Sequence, residues 1–403
     1  GSPHPCKAAT NRKMQSQLEM GLRELQAEVR RISAQDDEQK GTETETAEAA
    51  ASRQEKRLTV LQSILQMAMF EVAVAPSAAA GNWRIHLDAA AAVFRHMVPP
   101  PPSSSSSSSS SGPTATPSSW AASLARLAEP AHPDWPLSFG GGVRMWRPPQ
   151  AALRFFAANL LFMDVMAAVA LGRAPRLTDY HASVIPRGGG GDNATGNEDE
   201  ARIDMSGFVG LDNDTVQLLA DVSSLAAWKR EQKATAAGTL DAAAAAELQR
   251  RSNVLAADIA SRIAQLCPCS SSFKDIANGH SSASSSSSSP GTVADQLLLN
   301  SHHNNHHSSS PATSPQTDTG GEPLPPAQNN HIWLRAAQAY LQTVHRGWRP
   351  LQDPDLRRFS RETAAELGAL PRPAALRSLA FPYCLAGCLA VGDEERRLIR
   401  ALA

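Results

Sequence analysis

The side chains best suited to chemistry in this 403-residue chain are its thiols, and two of them, Cys384 and Cys388, stand four apart near the C-terminus. Four residues is about one helical turn, so both sulfurs fall on one face of a helix, where they can hold a metal, form a redox couple or simply pack. Phe381, Leu385 and Leu389 recur around them at steps of three and four, with Ala386 and Gly387 between. The pattern predicts a core-facing helical surface in which the thiols behave as small buried hydrophobes. No His or third Cys accompanies them, so a structural zinc site lacks ligands. A disulfide is disfavoured, because residues four apart on a helix lie about 6 Å apart at Cα with side chains seldom aimed at each other.

Other candidates meet similar objections. Cys267 and Cys269 bracket a proline beside a Ser-rich tract, and His302, His303, His306 and His307 follow in a biased run. Zinc wants four ligands at defined spacing on a preorganised backbone, which this stretch does not provide. Asp36-Asp37 resembles the magnesium-binding aspartates of all-α terpene synthases, but it sits in a polar run after a helix. Asn213-Asp214 fails as that family's second motif, since Gln217 holds the position a serine needs. Glu71 and Asp164 lie inside apolar helical patterns, where a carboxylate is costly unless paired. Arg173 or another cation is the expected partner of Asp164, and a structural ion pair is preferred over acid–base work because no second acid or His stands at helical spacing. Nucleophile elbow, phosphate-binding loop, dinucleotide fingerprint and H-E-x-x-H pair are all missing, and the "GGGG" run at 188–191 has no Lys-Ser/Thr after it. The chain reads as no enzyme, with no cofactor of its own.

Bulk charge points to no partner either. Lys and Arg number 38 against 39 Asp and Glu, so no basic excess marks a nucleic-acid surface. Five scattered cysteines fit a reducing compartment. The most apolar stretch, 153–171, is broken by Arg154, Asn159 and Asp164, which argues against a membrane span. A first residue that is Gly rather than Met suggests a fragment or processed product, so an N-terminal module could be missing.

The elements that must position these residues are helices. Apolar residues recur at steps of three and four in 57–74, 82–97, 151–172, 214–232, 242–266 and 332–346, and Pro371 and Pro373 precede a last helix. With 5% aromatic residues and scarce alternation, the class is all-α: a large helical domain of packed amphipathic helices. Residues 99–119, 187–201 and 270–328 are Ser, Pro, Gly, Asn and His tracts that cannot bury a core, and they read as disordered insertions. The expected division is therefore an N-terminal helix with polar linker at 1–54, then a helical domain at 55–403. Leu18, Leu22, Leu25, Val29 and Ile32 alternate four and three like a short coiled-coil seam. Intramolecular packing is the favoured reading, and a homodimer stays open.

Several segments, taken in order, resemble the fungal-specific transcription factor domain, the helical regulatory region that follows binuclear zinc-cluster DNA-binding modules. "WRIHLDAAAAVF" at 83–94 resembles the family's W..HL.GA..L element through Trp83, His86 and Leu87. "RFFAANLLFMDVMAAVALGRAP" at 154–175 is similar to F.Y.DVL.SL..GR.P, with Asp164, Arg173 and Pro175 at the recurring positions. The stretches 210–229 and 332–347 resemble two further family helices. "RSLAFPYCLAGCLAVGDEERRLIRALA" at 377–403 is closest to the pattern, retaining Pro382, Ala386, Gly387 and Cys388.

That resemblance implies a nuclear domain that modulates a DNA-bound factor through co-regulators or its own DNA-binding module. It also implies zinc only in an N-terminal six-cysteine cluster, which these residues lack because Cys6 alone precedes position 267. DNA would then be reached only through that cluster. The alternative is a free-standing helical interaction or scaffold protein descended from such a factor. The two separate on whether a cluster is encoded upstream of Gly1.

Overall fold

Leu58, Leu61, Ile64, Leu65 and Ala68 form the buried stripe of a helix at Ala47–Val74, α1, as their spacing dictates. The computed structural model describes residues 47–74, 83–100, 119–127, 137–139, 143–188, 201–235, 238–266, 325–348, 352–368, 370 and 378–401, with isolated positions between 13 and 31. Those isolated positions are helical and exposed. The seam residues Leu18, Leu22, Leu25, Val29 and Ile32 lie outside the described residues, as do Cys6, Asp36, Asp37, Cys267, Cys269, Pro371, Pro373 and the His302 to His307 run. So does most of each expected insertion, although Ser119 and Ala201 are already helical and a helix begins at Pro326. Helix α1 reaches back through 47–54 because the Gln54 side chain is buried and donates to the Met97 carbonyl at 3.1 Å.

Helix α2, Trp83–Met97, packs along α1 and buries Leu87, Ala90, Ala91 and Phe94. The short α3, Ser119–Arg126, seats Trp120, whose indole N–H donates to the Ala201 carbonyl at 2.6 Å. Strands β1, Leu137–Phe139, and β2, Val143–Met145, pair antiparallel. With three residues each they leave the class all-α.

Helix α4, Pro148–Leu171, is apolar enough by length and composition to cross a membrane, yet it packs here against α1, α2 and later helices as a core element. Pro148 suits a first turn, where no N–H is needed. Gly172 closes the helix at φ 57°, a left-handed conformation that glycine adopts without steric cost. Then follow α5, Thr178–Val184; α6, Ser206–Val209; α7, Asn213–Thr235; and α8, Ala242–Leu266. Helix α9, Pro326–Arg346, lies against both α7 and α8. The chain ends in α10, Pro354–Gly368; α11, Ala380–Leu389; and α12, Asp393–Ala401.

One apolar core runs from α1 to α9 and takes in Leu367 and Leu379. A second, built from Ala336, Ala339, Leu356, Phe359, Leu385 and Leu389, meets it through Tyr340 and Phe381. Ala364, Ala386 and Ile399 form a third beneath α12.

Candidate functional site

The residues that mark the family pattern fall at three joints between consecutive elements. At the first, His86 on α2 meets Glu71 near the end of α1: Nε2 and Oε1 lie 3.2 Å apart, both side chains buried. Glu71 is thus the paired carboxylate the sequence required, and its partner is the motif histidine. Leu87 beside it is fully buried, while Trp83 is half-buried with the Arg84 guanidinium 5.6 Å from its ring centre.

The second joint is the turn from α4 to α5. Asp164 is fully buried, and the expected ion pair with Arg173 is absent: Oδ2 instead accepts the Leu177 backbone N–H at 2.9 Å, with the Arg176 backbone N–H contributing. The correction is one of donor type. The turn through Pro175 brings main-chain donors to Oδ2, and Arg173 acts only as a field. Burial still pushes the Asp164 carboxyl upward, against the pull of Arg173 and Arg95. Asp164 Oδ1 and the Nε and Nη2 of Arg173 are buried without a hydrogen-bond partner. Arg95 donates to the Arg176 carbonyl and Arg176 pairs with Asp88, so α2 is tied to the same turn. His181, on α5, is also buried and its Nε2 makes no hydrogen bond; burial lowers its pKa to about 4.

At the third joint α11 packs on α10 and α12. Ser360 donates to the Ala386 carbonyl at 3.0 Å and Tyr383 donates to that of Ile399 at 3.0 Å. A Cβ added at Gly387 would lie 3.4 Å from Ile399 Cγ2, an ordinary contact that leaves room for a methyl but for little more beside α12. Pro382 is buried in the first turn of α11, and Ala386 is fully buried.

The thiols overturn the expectation made for them. Cys384 and Cys388 are both exposed and free, on the outward face of α11, while Pro382, Leu385, Ala386 and Leu389 form its buried face. The three-and-four spacing was right about a shared face, but each leucine follows its cysteine by one residue, about 100° around the helix. The core took the bulkier pair. Desolvation, then the neighbouring Cys388, raise the Cys384 pKa.

Asn213 and Asp214, examined as metal ligands, build the start of α7. Asn213 Oδ1 accepts the Met205 N–H at 2.9 Å, Asp212 Oδ1 caps Thr215 N–H at 2.7 Å, and Arg262 of α8 reaches Asp212 and Asp214 at 2.8 and 3.4 Å. The sequence reading missed Asn329 and Asn330, which are buried and reach the same loop: Asn329 donates to the Gly210 carbonyl at 2.6 Å and Asn330 accepts from Asp212 N–H at 2.9 Å. They lie inside the first turns of α9, whose start the sequence marks instead with Pro325-Pro326.

Among the described residues, no three His, Cys, Asp or Glu side chains gather as a metal ion would require. An open groove of roughly 60 Å³ between α9 and α10 is lined by Arg335, Gln338, Gln342, Asp355, Arg358 and Glu362. Its charges answer one another, Arg335 with Glu362 at 2.7 Å and Arg358 with Asp355 at 3.3 Å.

The distinctive polar residues of this Ala- and Leu-rich body tie helix to helix, as in an all-helical packing module. The chain belongs to the fungal specific transcription factor domain family, whose profile matches residues 2–403. That is a family of transcription regulators, not of enzymes. The transcription factor dibT of Pestalotiopsis microspora is 25% identical over 388 residues, covering 96% of this chain and 50% of its own length. The chain therefore spans about half the length of that curated relative. No solved structure matches it.

Proposed function

We propose that this chain is the regulatory, non-DNA-contacting part of a fungal zinc-cluster transcription factor that controls RNA polymerase II transcription in the nucleus, and that it performs no catalysis. The observation that carries the reading is where four arginines of the helical body point. Arg187 pairs with Asp221 and Asp258, Arg262 with Asp212 and Asp214, Arg335 with Glu362, and Arg346 with Asp353 and Asp355. Each guanidinium faces carboxylates of the same body, whereas a duplex-binding surface presents arginines and lysines to phosphates.

DNA contact, and the zinc that goes with it, belongs in this reading to a module outside these residues. The helical body acts on that module or on transcriptional co-regulators, as a monomer or a homodimer. Fluorescence anisotropy of labelled duplex DNA tests the first half: the purified chain is expected to give no salt-sensitive binding. Nanomolar affinity that collapses between about 50 and 200 mM salt would overturn it. Fused to a heterologous DNA-binding domain, the chain is expected to change transcription from a matching reporter, and a fusion without effect would count against a regulatory role.

A further inference from the structure

Cys384 and Cys388 are left unused by everything above. They are free, exposed and one helical turn apart on α11, with Ala380 completing the same outward line. Cβ atoms at this spacing lie about 5–6 Å apart, whereas a disulfide needs roughly 3.5–4.5 Å, so the two sulfurs cannot join directly without unwinding the helix. A single soft atom inserted between them removes that conflict. With bonds to sulfur of about 2.3 Å on each side and the pyramidal geometry of a trivalent centre, the sulfurs settle roughly 3.5 Å apart, which side-chain rotation can supply.

We propose that the outward face of α11 is a two-thiol site for trivalent arsenicals, chelated by Cys384 and Cys388 together. The step needs no oxidant. An organoarsenic(III) oxide takes the hydrogens of the two thiols, two As–S bonds form, the As–O bond breaks and one water leaves, with arsenic at the same oxidation state before and after. Zinc is not the matching ion, because its structural sites want four ligands and this face offers two.

The environment favours chelation over one-site attack. Desolvation and the neighbouring Cys388 sulfur raise the Cys384 pKa, so Cys384 is not an activated nucleophile. The advantage comes instead from the second bond being intramolecular, which raises retention by roughly 10²–10⁴ over a single thiol. Both side chains point away from the α10 and α12 contacts, and Ala386 and Leu389 hold the opposite face. Occupancy therefore staples one turn of α11 without disturbing the core.

The test uses the full chain with Cys6→Ser, Cys267→Ser and Cys269→Ser, leaving only the α11 pair, and phenylarsine oxide as probe. Intact mass is expected to rise by one phenylarsenic group less two hydrogens, with loss of both titratable thiols. The adduct should survive excess mercaptoethanol and be stripped by ethanedithiol. Cys384→Ser and Cys388→Ser should each cut retention at least about 100-fold, with far-UV circular dichroism unchanged. Equal retention by either single-thiol variant, no adduct on the paired protein, or loss of helical signal on labelling would overturn the assignment.

Discussion

The buried Glu71–His86 contact makes a quantitative claim that a double-mutant cycle can break. The side chains are 8% and 6% exposed and 3.2 Å apart, one on α1 and one on α2. His86→Leu leaves a nearly buried carboxylate with no partner on α2, at a cost of about 3 kcal/mol, the low end for a broken buried pair because the carboxylate keeps some solvent. Glu71→Leu strands only an imidazole N–H and should cost about 1–2 kcal/mol. Glu71→Gln retains an acceptor and should cost less than about 1 kcal/mol. The double variant Glu71→Leu/His86→Leu removes both polar groups and should return to within about 1 kcal/mol of the parent, leaving a coupling of roughly 3–5 kcal/mol. For a helical body of this size about 3 kcal/mol corresponds to a fall in Tm of roughly 6–12 °C. Urea melts followed by circular dichroism at 222 nm, repeated with tryptophan fluorescence to check two-state behaviour, read all four corners. The reasoning fails if the double variant is as unstable as His86→Leu, because His86 would then matter for its volume alone.

The acid limb of stability offers a second check. His181 titrates near 4 in the folded chain and near 6.5 when unfolded, so the unfolded state binds more protons between those values and stability must fall as pH drops through that window. The span is worth on the order of 3 kcal/mol; His181→Leu should flatten that loss while changing stability at pH 7 little, since Nε2 has no hydrogen-bond partner. Asp164 works in the opposite sense: its folded pKa is raised, so its contribution is fully present below 3.8 and is lost as pH rises through the folded value. Asp164→Asn should remove that trend and gain on the parent as pH rises, measured by the same melts at stepped pH. At Gly387, the 3.4 Å approach to Ile399 accepts a methyl, so Gly387→Ala should be neutral or stabilise by about 0.5–1 kcal/mol through helix propensity, whereas Gly387→Leu should cost about 1–3 kcal/mol by displacing α12. Gly172→Ala should cost about 1 kcal/mol in a thermal melt because φ is 57° there and the Arg230 guanidinium occupies the space of a Cβ.

Periodicity made the long helices α1, α2, α4, α7, α8 and α9 legible as elements, although single marked residues such as Met69 and Val72 at the end of α1 are exposed. The pattern is masked in α10, where the buried Leu356, Phe359, Ser360, Thr363, Ala364 and Leu367 keep steps of three and four but are interleaved with charged residues, and in the short α12. Helix α10 starts because Asp353 Oδ1 accepts from Asp355 N–H at 3.0 Å and Leu356 N–H at 3.4 Å ahead of an N-terminal proline. Helix α12 starts because Glu395 Oε2 takes the N–H of Val391 and Gly392 at 3.0 and 3.1 Å. Read as charge, "GDEERR" is a solvated run; read as an acidic first turn, it is a helix start. The cysteines of α11 were misplaced for a different reason. Cys384 with Cys388 and Leu385 with Leu389 share one period and differ only in phase, and phase is set by what lies across the interface: Ala336, Ala339, Leu356 and Phe359, none of them near in sequence.

The same distinction says what the family pattern carries. Trp83, His86 and Leu87 sit where α1 meets α2, Asp164, Arg173 and Pro175 where α4 turns into α5, and Pro382, Ala386 and Gly387 where α11 packs on α10 and α12. Each set sits at a joint: a histidine to answer a buried acid, a carboxylate to receive the N–H groups of a sharp turn, small residues where two helices touch. Such solutions constrain a few positions tightly and leave outward faces free. A chain that keeps the joints therefore keeps these contacts between helices, whereas an outward pair such as Cys384 and Cys388 is tied to no joint. Cys388 adjoins Gly387 in the family pattern yet faces solvent, and it separates the two roles by a single residue.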